Sequence, residues 1–213
     1  MTQRTRVKIC GITRLEDAVL AQNLGADALG FVFVPASARY LSAESAVSIV
    51  EKMSPFVTCV GLFLNEQAEE VNRILTLMPG MVPQFHGQES PEYCDQFGLS
   101  YLKAVGVGEG VPSASELAAY QRASGFLFDS NAPGQLGGTG HTFDWTQLTG
   151  DLDRPLILAG GLDAGNVRSA IEQVGPYAID VSTGVEASKG VKDPNAMTAF
   201  MANIYEADSL VNC

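Results

Sequence analysis

Eight short apolar runs alternate with amphipathic segments along the chain, and this alternation constrains the fold more than any other feature. The runs are Val7–Gly11, Ala28–Phe33, Val57–Leu64, Met81–Phe85, Tyr101–Val105, Gly125–Phe128, Pro155–Ala159 and Ala178–Val181. Several are rich in Val, Ile, Leu and Phe without a clean polar alternation, which suits parallel strands covered on the outside by helices. Helix starts are signalled between them. Thr13 with Glu16 and Ser113 with Glu116 have capping-box spacing, while Ser90-Pro91 and Asp193-Pro194 put a cap residue before proline at the first helical position. Helices are expected over Leu15–Asn23, Ala43–Lys52, Glu66–Leu77, Pro91–Phe97, Ser115–Arg122, Ala164–Val174 and Pro194–Tyr205, with Phe143–Leu148 as a short eighth candidate. Eight such units predict an α/β fold, a single (β/α)8 TIM barrel over residues 1–213. A doubly wound open sheet is the structural alternative, because closure leaves no mark on a linear pattern.

Composition narrows the partners. With 24 acidic against 13 basic side chains the formal net charge is −11, which argues against nucleic acid and against anionic membrane, since both need a basic footprint. No apolar run approaches the roughly 20 residues that span a bilayer, and Met1 to Arg6 is too polar for a secretory signal. Cys10, Cys59, Cys94 and Cys213 show no CxxC spacing, so a reducing, cytoplasmic setting is expected. A monomer or a weak homodimer fits the acidic surface.

In a barrel, function gathers at the C-terminal ends of the strands and in the loops that follow. Lys8 and Cys10 share one face of the first run while Val7 and Ile9 share the other, so the polar pair is expected to face the interior. Cys10 reads either as a small buried hydrophobe or as a reactive thiol. Asp129 ends the sixth run, and either caps the next turn or works as an acid; the stretch Gly134 to His141 after it looks like a loop able to cover a ligand. The junctions Ala159-Gly160-Gly161-Leu162 and Ser182-Thr183-Gly184 follow the seventh and eighth runs, where barrels often bind phosphate through backbone N–H groups. Arg39 after the second run is a candidate carboxylate fork in a chain short of cations. His86 after the fourth is a ligand contact or a structural histidine, and with His141 it gives no metal-ligand spacing.

The chain resembles the phosphoribosylanthranilate isomerase family over essentially its whole length. The matching segments are VKICGIT at 7–13, GFVFVPASARYLS at 30–42, VGLFLN at 60–65, QFHG at 84–87, FDS at 128–130, GGTGHTFDW at 137–145, LAGGL at 158–162, NV at 166–167, DVSTGVE at 180–186 and GVKD at 190–193. Pro83 inside the fourth run, Phe85 before the histidine and Ala38 beside Arg39 depart from the family pattern. They put local backbone geometry in question rather than the chemistry.

The resemblance implies an Amadori rearrangement in tryptophan biosynthesis, on a small phosphorylated substrate and with neither cofactor nor metal. N-(5-phospho-β-D-ribosyl)anthranilate becomes 1-(2-carboxyphenylamino)-1-deoxy-D-ribulose 5-phosphate. It also implies Asp129 as general acid and Cys10 as general base, Arg39 on the anthranilate carboxylate, His86 in the substrate site, and Gly160, Gly161, Ser182, Thr183 and Gly184 around the phosphate. An ordinary Asp is ionised and an ordinary Cys protonated at neutral pH, so Asp129 is expected to be raised by apolar surroundings and Cys10 lowered by a cation or a helix N-terminus. Lys8 is expected to pair with Asp180 across the barrel seam. Two competing readings are a histidine-pathway aldose–ketose isomerase, against which Cys10 argues because that family has aspartate there, and a catalytically silent phosphate-ligand sensor.

Overall fold

The first strand, β1 (Arg6–Cys10), lies in parallel register between β2 (Ala28–Val32) and β8 (Ala178–Val181). This pairing of first strand with last closes the sheet. The computed structural model describes residues 4–108, 110–130, 143–148 and 152–211. Between β2 and β8 the wall runs in sequence order through β3 (Thr58–Phe63), β4 (Val82–Phe85), β5 (Tyr101–Gly106), β6 (Ala123–Asp129) and β7 (Leu156–Leu158). The closed barrel, rather than the open sheet, is therefore the architecture.

Seven α-helices cover the wall among the described residues: α1 (Leu15–Asn23), α2 (Ala43–Val50), α3 (Ala68–Leu77), α4 (Pro91–Asp95), α5 (Ala114–Ala118), α6 (Val167–Val174) and α7 (Pro194–Val211). The eighth candidate is only a 3-10 turn at Trp145–Gln147. A short antiparallel pair, β9 (Glu186–Ser188) and β10 (Val191–Lys192), follows β8.

Local signals account for most helix starts. Ser113 and Glu116 form the reciprocal capping box, Ser90 accepts from the Tyr93 N–H, and Asp193 accepts from Asn195 and Ala196 at 2.8 and 3.0 Å. Thr13 departs from expectation. The N-cap of α1 is Arg14, and the Thr13 hydroxyl instead donates to the carbonyl of Gly190 in the β9–β10 turn, a partner 177 residues away. Helix α6 begins later than expected because Asp163 and Asn166 form a turn of their own. Asp163 accepts from Gly165 and Asn166 at 2.7 and 3.1 Å, while Asn166 accepts from the Asp163 N–H at 3.0 Å.

The period-2 alternation of each strand sorts its side chains between two environments. Outward residues such as Val7, Ile9, Phe31, Phe63, Phe85, Phe128 and Ile179 join the large core under the helices. Inward apolar residues form two smaller groups, Cys10 with Val32, Val34 and Leu62, and Ala104 with Leu127, Ile157, Ala159 and Ala178. Pro83 sits opposite Gly61 in a β3–β4 ladder of four residue pairs, so the strand survives its missing N–H. Phe85 fills the outer layer, stacked on Phe97 with ring centroids 5.5 Å apart and edge-on to Tyr93 and Tyr101.

Candidate active site

Lys8 and Cys10 face inward from β1, as the alternation requires. Lys8 is opposite Asp180 in the β1–β8 ladder, and its Nζ donates to Asp180 Oδ1 at 2.8 Å; both residues are buried. Burial works against the ammonium, but the attraction of Asp180 and of the neighbouring Cys10 overcomes it and holds Lys8 above its ordinary value. Cys10 is 5% exposed. Burial pushes its thiol up, against the pull of Lys8, while Asp180 adds to the rise and Lys192 opposes it. The expected lowering of Cys10 is thus corrected: the nearby cation is present and pulls the thiol down, but burial outweighs it, and Asp180 offsets part of the pull.

Gly11, with φ +77°, turns the chain immediately after Cys10, and Arg39 lies over it: a Cβ on Gly11 would come within 2.5 Å of Arg39 Cδ. Arg39 is buried and forms a two-point fork on Glu186, at 2.7 Å from both Nε and Nη2, with Thr183 Oγ1 3.0 Å from Nη2. Burial of Glu186 is outweighed by Arg39 and Lys192, which keep its carboxyl below the usual range. Lys192, almost fully enclosed, donates to the carbonyls of Cys10 at 2.6 Å and Ser182 at 3.0 Å and to Glu186 Oε1 at 3.0 Å. It ties the end of β1 to the loop after β8. Nothing local in the sequence marks Lys192 or Glu186 as site neighbours, because their partners are brought together only by closure; their place in DVSTGVE and GVKD is the one available signal.

The two glycine junctions meet. Gly160 and Gly161 both have positive φ, +85° and +63°, and a bridge joins Asp163 to Gly184. A side chain at Gly184 would strike the Leu162 carbonyl at 1.9 Å. Residues 159–163 and 180–184 with Asp129 line a cavity of about 220 Å³. Asp129, at the end of β6, is 8% exposed, and its Oδ2 lies 3.7 Å from Nε2 of His86. His86 is neutral at physiological pH: burial lowers it to about 4, with Lys103 and Lys8 repelling the imidazolium and Asp180 and Glu89 favouring it. Its Nδ1 lies 3.1 Å from Nε2 of the Gln84 amide. The structure thus gathers Asp129, His86, Gly160, Gly161, Ser182, Thr183 and Gly184 at one mouth, with Cys10 linked to the same cavity through Lys8 and Asp180. Arg39 is also at this end, engaged by Glu186. The stretch Gly134 to His141 and Cys213 lie outside the described residues.

A closed parallel barrel with a thiol, a carboxylate and a glycine-walled cavity at its C-terminal mouth defines a TIM-barrel enzyme. Residues 7–203 match the family model described as N-(5'phosphoribosyl)anthranilate (PRA) isomerase. An N-(5'-phosphoribosyl)anthranilate isomerase from Nitrosospira multiformis is 49% identical over 205 residues, 96% of this chain and 99% of the relative. Among solved structures, phosphoribosyl anthranilate isomerase from Thermus thermophilus superposes with a TM-score of 0.85 at 39% identity, covering 95% of this chain and 99% of that one. Another, in complex with reduced 1-(o-carboxyphenylamino)-1-deoxyribulose 5-phosphate, has a TM-score of 0.77 at 38% identity, again covering 95% and 99%. The chain belongs to the N-(5'-phosphoribosyl)anthranilate isomerase family.

Proposed function

We propose that the protein isomerises N-(5-phospho-β-D-ribosyl)anthranilate in tryptophan biosynthesis by general acid–base catalysis, with Asp129 as acid and Cys10 as base. The observation that carries this reading is convergence: Asp129 and Asp180 line the glycine-walled cavity, and Lys8 links Asp180 to Cys10. The acid is therefore inside the cavity and the base beside it.

Asp129 gives its proton to the furanose ring oxygen, the C1–O bond breaks, and a cationic Schiff base forms between C1 and the anthranilate nitrogen. The Cys10 thiolate then removes the C2 proton, and the electron pair moves through C1 to neutralise the nitrogen. The resulting enolamine gains a proton at C1 and loses one from the C2 hydroxyl, giving the ketone. Because burial favours the thiol, the thiolate is a minority form of the resting site, and the cost of forming it belongs to the barrier. Lys8 reduces that cost, and the Schiff-base cation adds a second positive charge when it is needed. Backbone N–H groups around Gly160, Gly161 and Ser182 to Gly184 hold the phosphate, with glycine allowing close approach. Arg39 takes the anthranilate carboxylate through the guanidinium edge that Glu186 leaves, while Glu186 fixes the guanidinium by its Nε and Nη2.

The direct test is turnover of freshly generated phosphoribosylanthranilate, with the histidine-pathway aminoaldose phosphate assayed alongside. Turnover of the first substrate is expected, and Cys10→Ser and Asp129→Asn each reduce kcat by at least about a hundredfold. Tight binding without turnover would establish a silent sensor instead, and near-wild-type kinetics in either variant would remove that residue from the mechanism.

A further inference from the structure

We propose that Gln84 is a positioning residue for this reaction: its side-chain amide donates to Nδ1 of His86 and so holds the imidazole proton on Nε2, facing Asp129. The inference rests on the reading of Asp129 as the general acid and assigns a task to a buried residue that the mechanism above leaves unused.

Three observations lead to it. Gln84 and His86 are two residues apart at the end of β4, so they share the inward face. Gln84 is completely buried, and its amide nitrogen lies 3.1 Å from His86 Nδ1. On the far side of the ring, Nε2 lies 3.7 Å from Asp129 Oδ2. The three side chains are thus consecutive neighbours, with His86 between Gln84 and the acid.

The direction of the Gln84–His86 bond follows from which amide atom faces the ring. It is the nitrogen, 3.1 Å from Nδ1, and an amide NH2 group donates but does not accept, so its partner on the ring has to be a lone pair. Gln84 Oε1 points away and meets no hydrogen-bond donor among the described residues. The amide therefore donates, Nδ1 accepts, and the one proton of a neutral imidazole must sit on Nε2.

Neutrality matters as much as the tautomer. The charged groups acting on His86 are Asp180, Lys103, Lys8 and Glu89, with Asp129 at Nε2; burial and the two lysines prevail, and the ring stays uncharged. An imidazolium at this point would stabilise ionised Asp129 and deprive it of the proton it must give. A neutral Nε2–H does less in the resting site and then donates to the carboxylate formed when Asp129 has delivered its proton. The opposite tautomer would present a lone pair to that carboxylate. A separation of 3.7 Å is longer than a hydrogen bond, and contacts of this kind commonly tighten when substrate arrives.

The test uses the full-length enzyme labelled with ¹⁵N at histidine. The chain has two histidines, and His141→Gln tells their signals apart. The wild-type His86 is expected to show a bare Nδ1 and a protonated Nε2. Gln84→Glu, of nearly the same shape, puts an acceptor at Nδ1; the proton is expected to move there and kcat to fall by about tenfold or more, with KM changed by less than about threefold. Gln84→Met, which neither donates nor accepts, is expected to broaden or mix the tautomer signals and to fall between the two in kcat. A protonated Nδ1 in the wild type overturns the proposal even if neither variant folds. A moved proton in Gln84→Glu with unchanged kcat overturns the role of Gln84 alone, whereas full turnover in Asp129→Asn overturns the acid assignment and with it the purpose of the relay.

Discussion

Two buried lysines stand on opposite faces of the same wall. Lys8 points into the barrel from β1 and has Asp180 at 2.8 Å with the Cys10 thiol beside it. Lys103 points outward from β5 and is saturated: its Nζ lies 2.7 to 3.2 Å from the carbonyls of Phe85, Gly87 and Ala104 and from Glu89 Oε2. Glu89 in turn accepts from the backbone N–H groups of Asn65 and Gly87, both at 2.8 Å. Lys103 is a staple that ties the loops after β3 and β4 to β5. Lys8 is paired with Asp180 and lies against Cys10, the proposed base. On the proposed mechanism the same residue type, equally buried, is structural on one face of the wall and functional on the other, according to what its remaining donors meet.

Removing each lysine is the strongest way to break this comparison. Lys103→Met leaves Glu89 uncompensated and is expected to cost about 3 to 5 kcal/mol of stability. Its kcat per folded molecule should stay within about threefold of wild type. Lys8→Met is expected to carry a similar stability cost and, in addition, a loss of at least about a hundredfold in kcat. Replacing Lys8 and Asp180 together with Met and Leu should recover stability but not turnover, read by denaturant unfolding beside steady-state kinetics. A lost rate in Lys103→Met would erase the distinction.

The two lysines act together on His86. Its folded-state value near 4 lies below the ordinary 6.5, so between those limits the unfolded chain binds a proton that the folded one does not. Stability is therefore unaffected by this group at neutral pH and falls as pH drops through 6.5 toward 4, by up to about 3 kcal/mol. His86→Gln should abolish that part of the acid-side loss in melts taken across the window. Lys8→Met and Lys103→Met should each raise the His86 titration point, measured by NMR.

Smaller effects sharpen the inward face itself. Arg39→Ala is expected to raise KM by about tenfold, a change of about 1.4 kcal/mol; unchanged KM and kcat would reject the carboxylate assignment. Asp180→Asn removes the charge that opposes Lys8 at Cys10 and should lower the thiol. Alkylation of Cys10 near pH 8 should then run a few times faster than in wild type, with Cys59 and Cys94 kept slow by their burial.

Much of the fold was legible in the sequence because its determinants are local. Helix α1 spans Leu15–Asn23 and β8 spans Ala178–Val181, as periodicity and turn chemistry predict, and Ser113 caps α5 through a partner three residues away. Where expectation and structure part, a distant group has intervened. Thr13 has the spacing of a cap but finds Gly190, and Cys10 has a cation beside it but is buried deeply enough by the closed barrel that its thiol is raised all the same. Gln84 carried no local signal beyond its motif, since its meaning lies in a hydrogen bond to His86 and in the ring's distance from Asp129.

By itself, then, the order of residues determined the eight-fold alternation, the strand ends at which Cys10 and Asp129 stand, and the inward face shared by Lys8 and Cys10. These follow from side-chain period, apolar burial and turn chemistry, all of which act within a few residues. Only the tertiary structure decided that the sheet closes, that Lys8 meets Asp180, that Glu186 grips Arg39, and that His86 stays neutral. Each of these depends on charges and burial supplied by strands far apart in the chain, and such through-space energies come into being only when the barrel has closed.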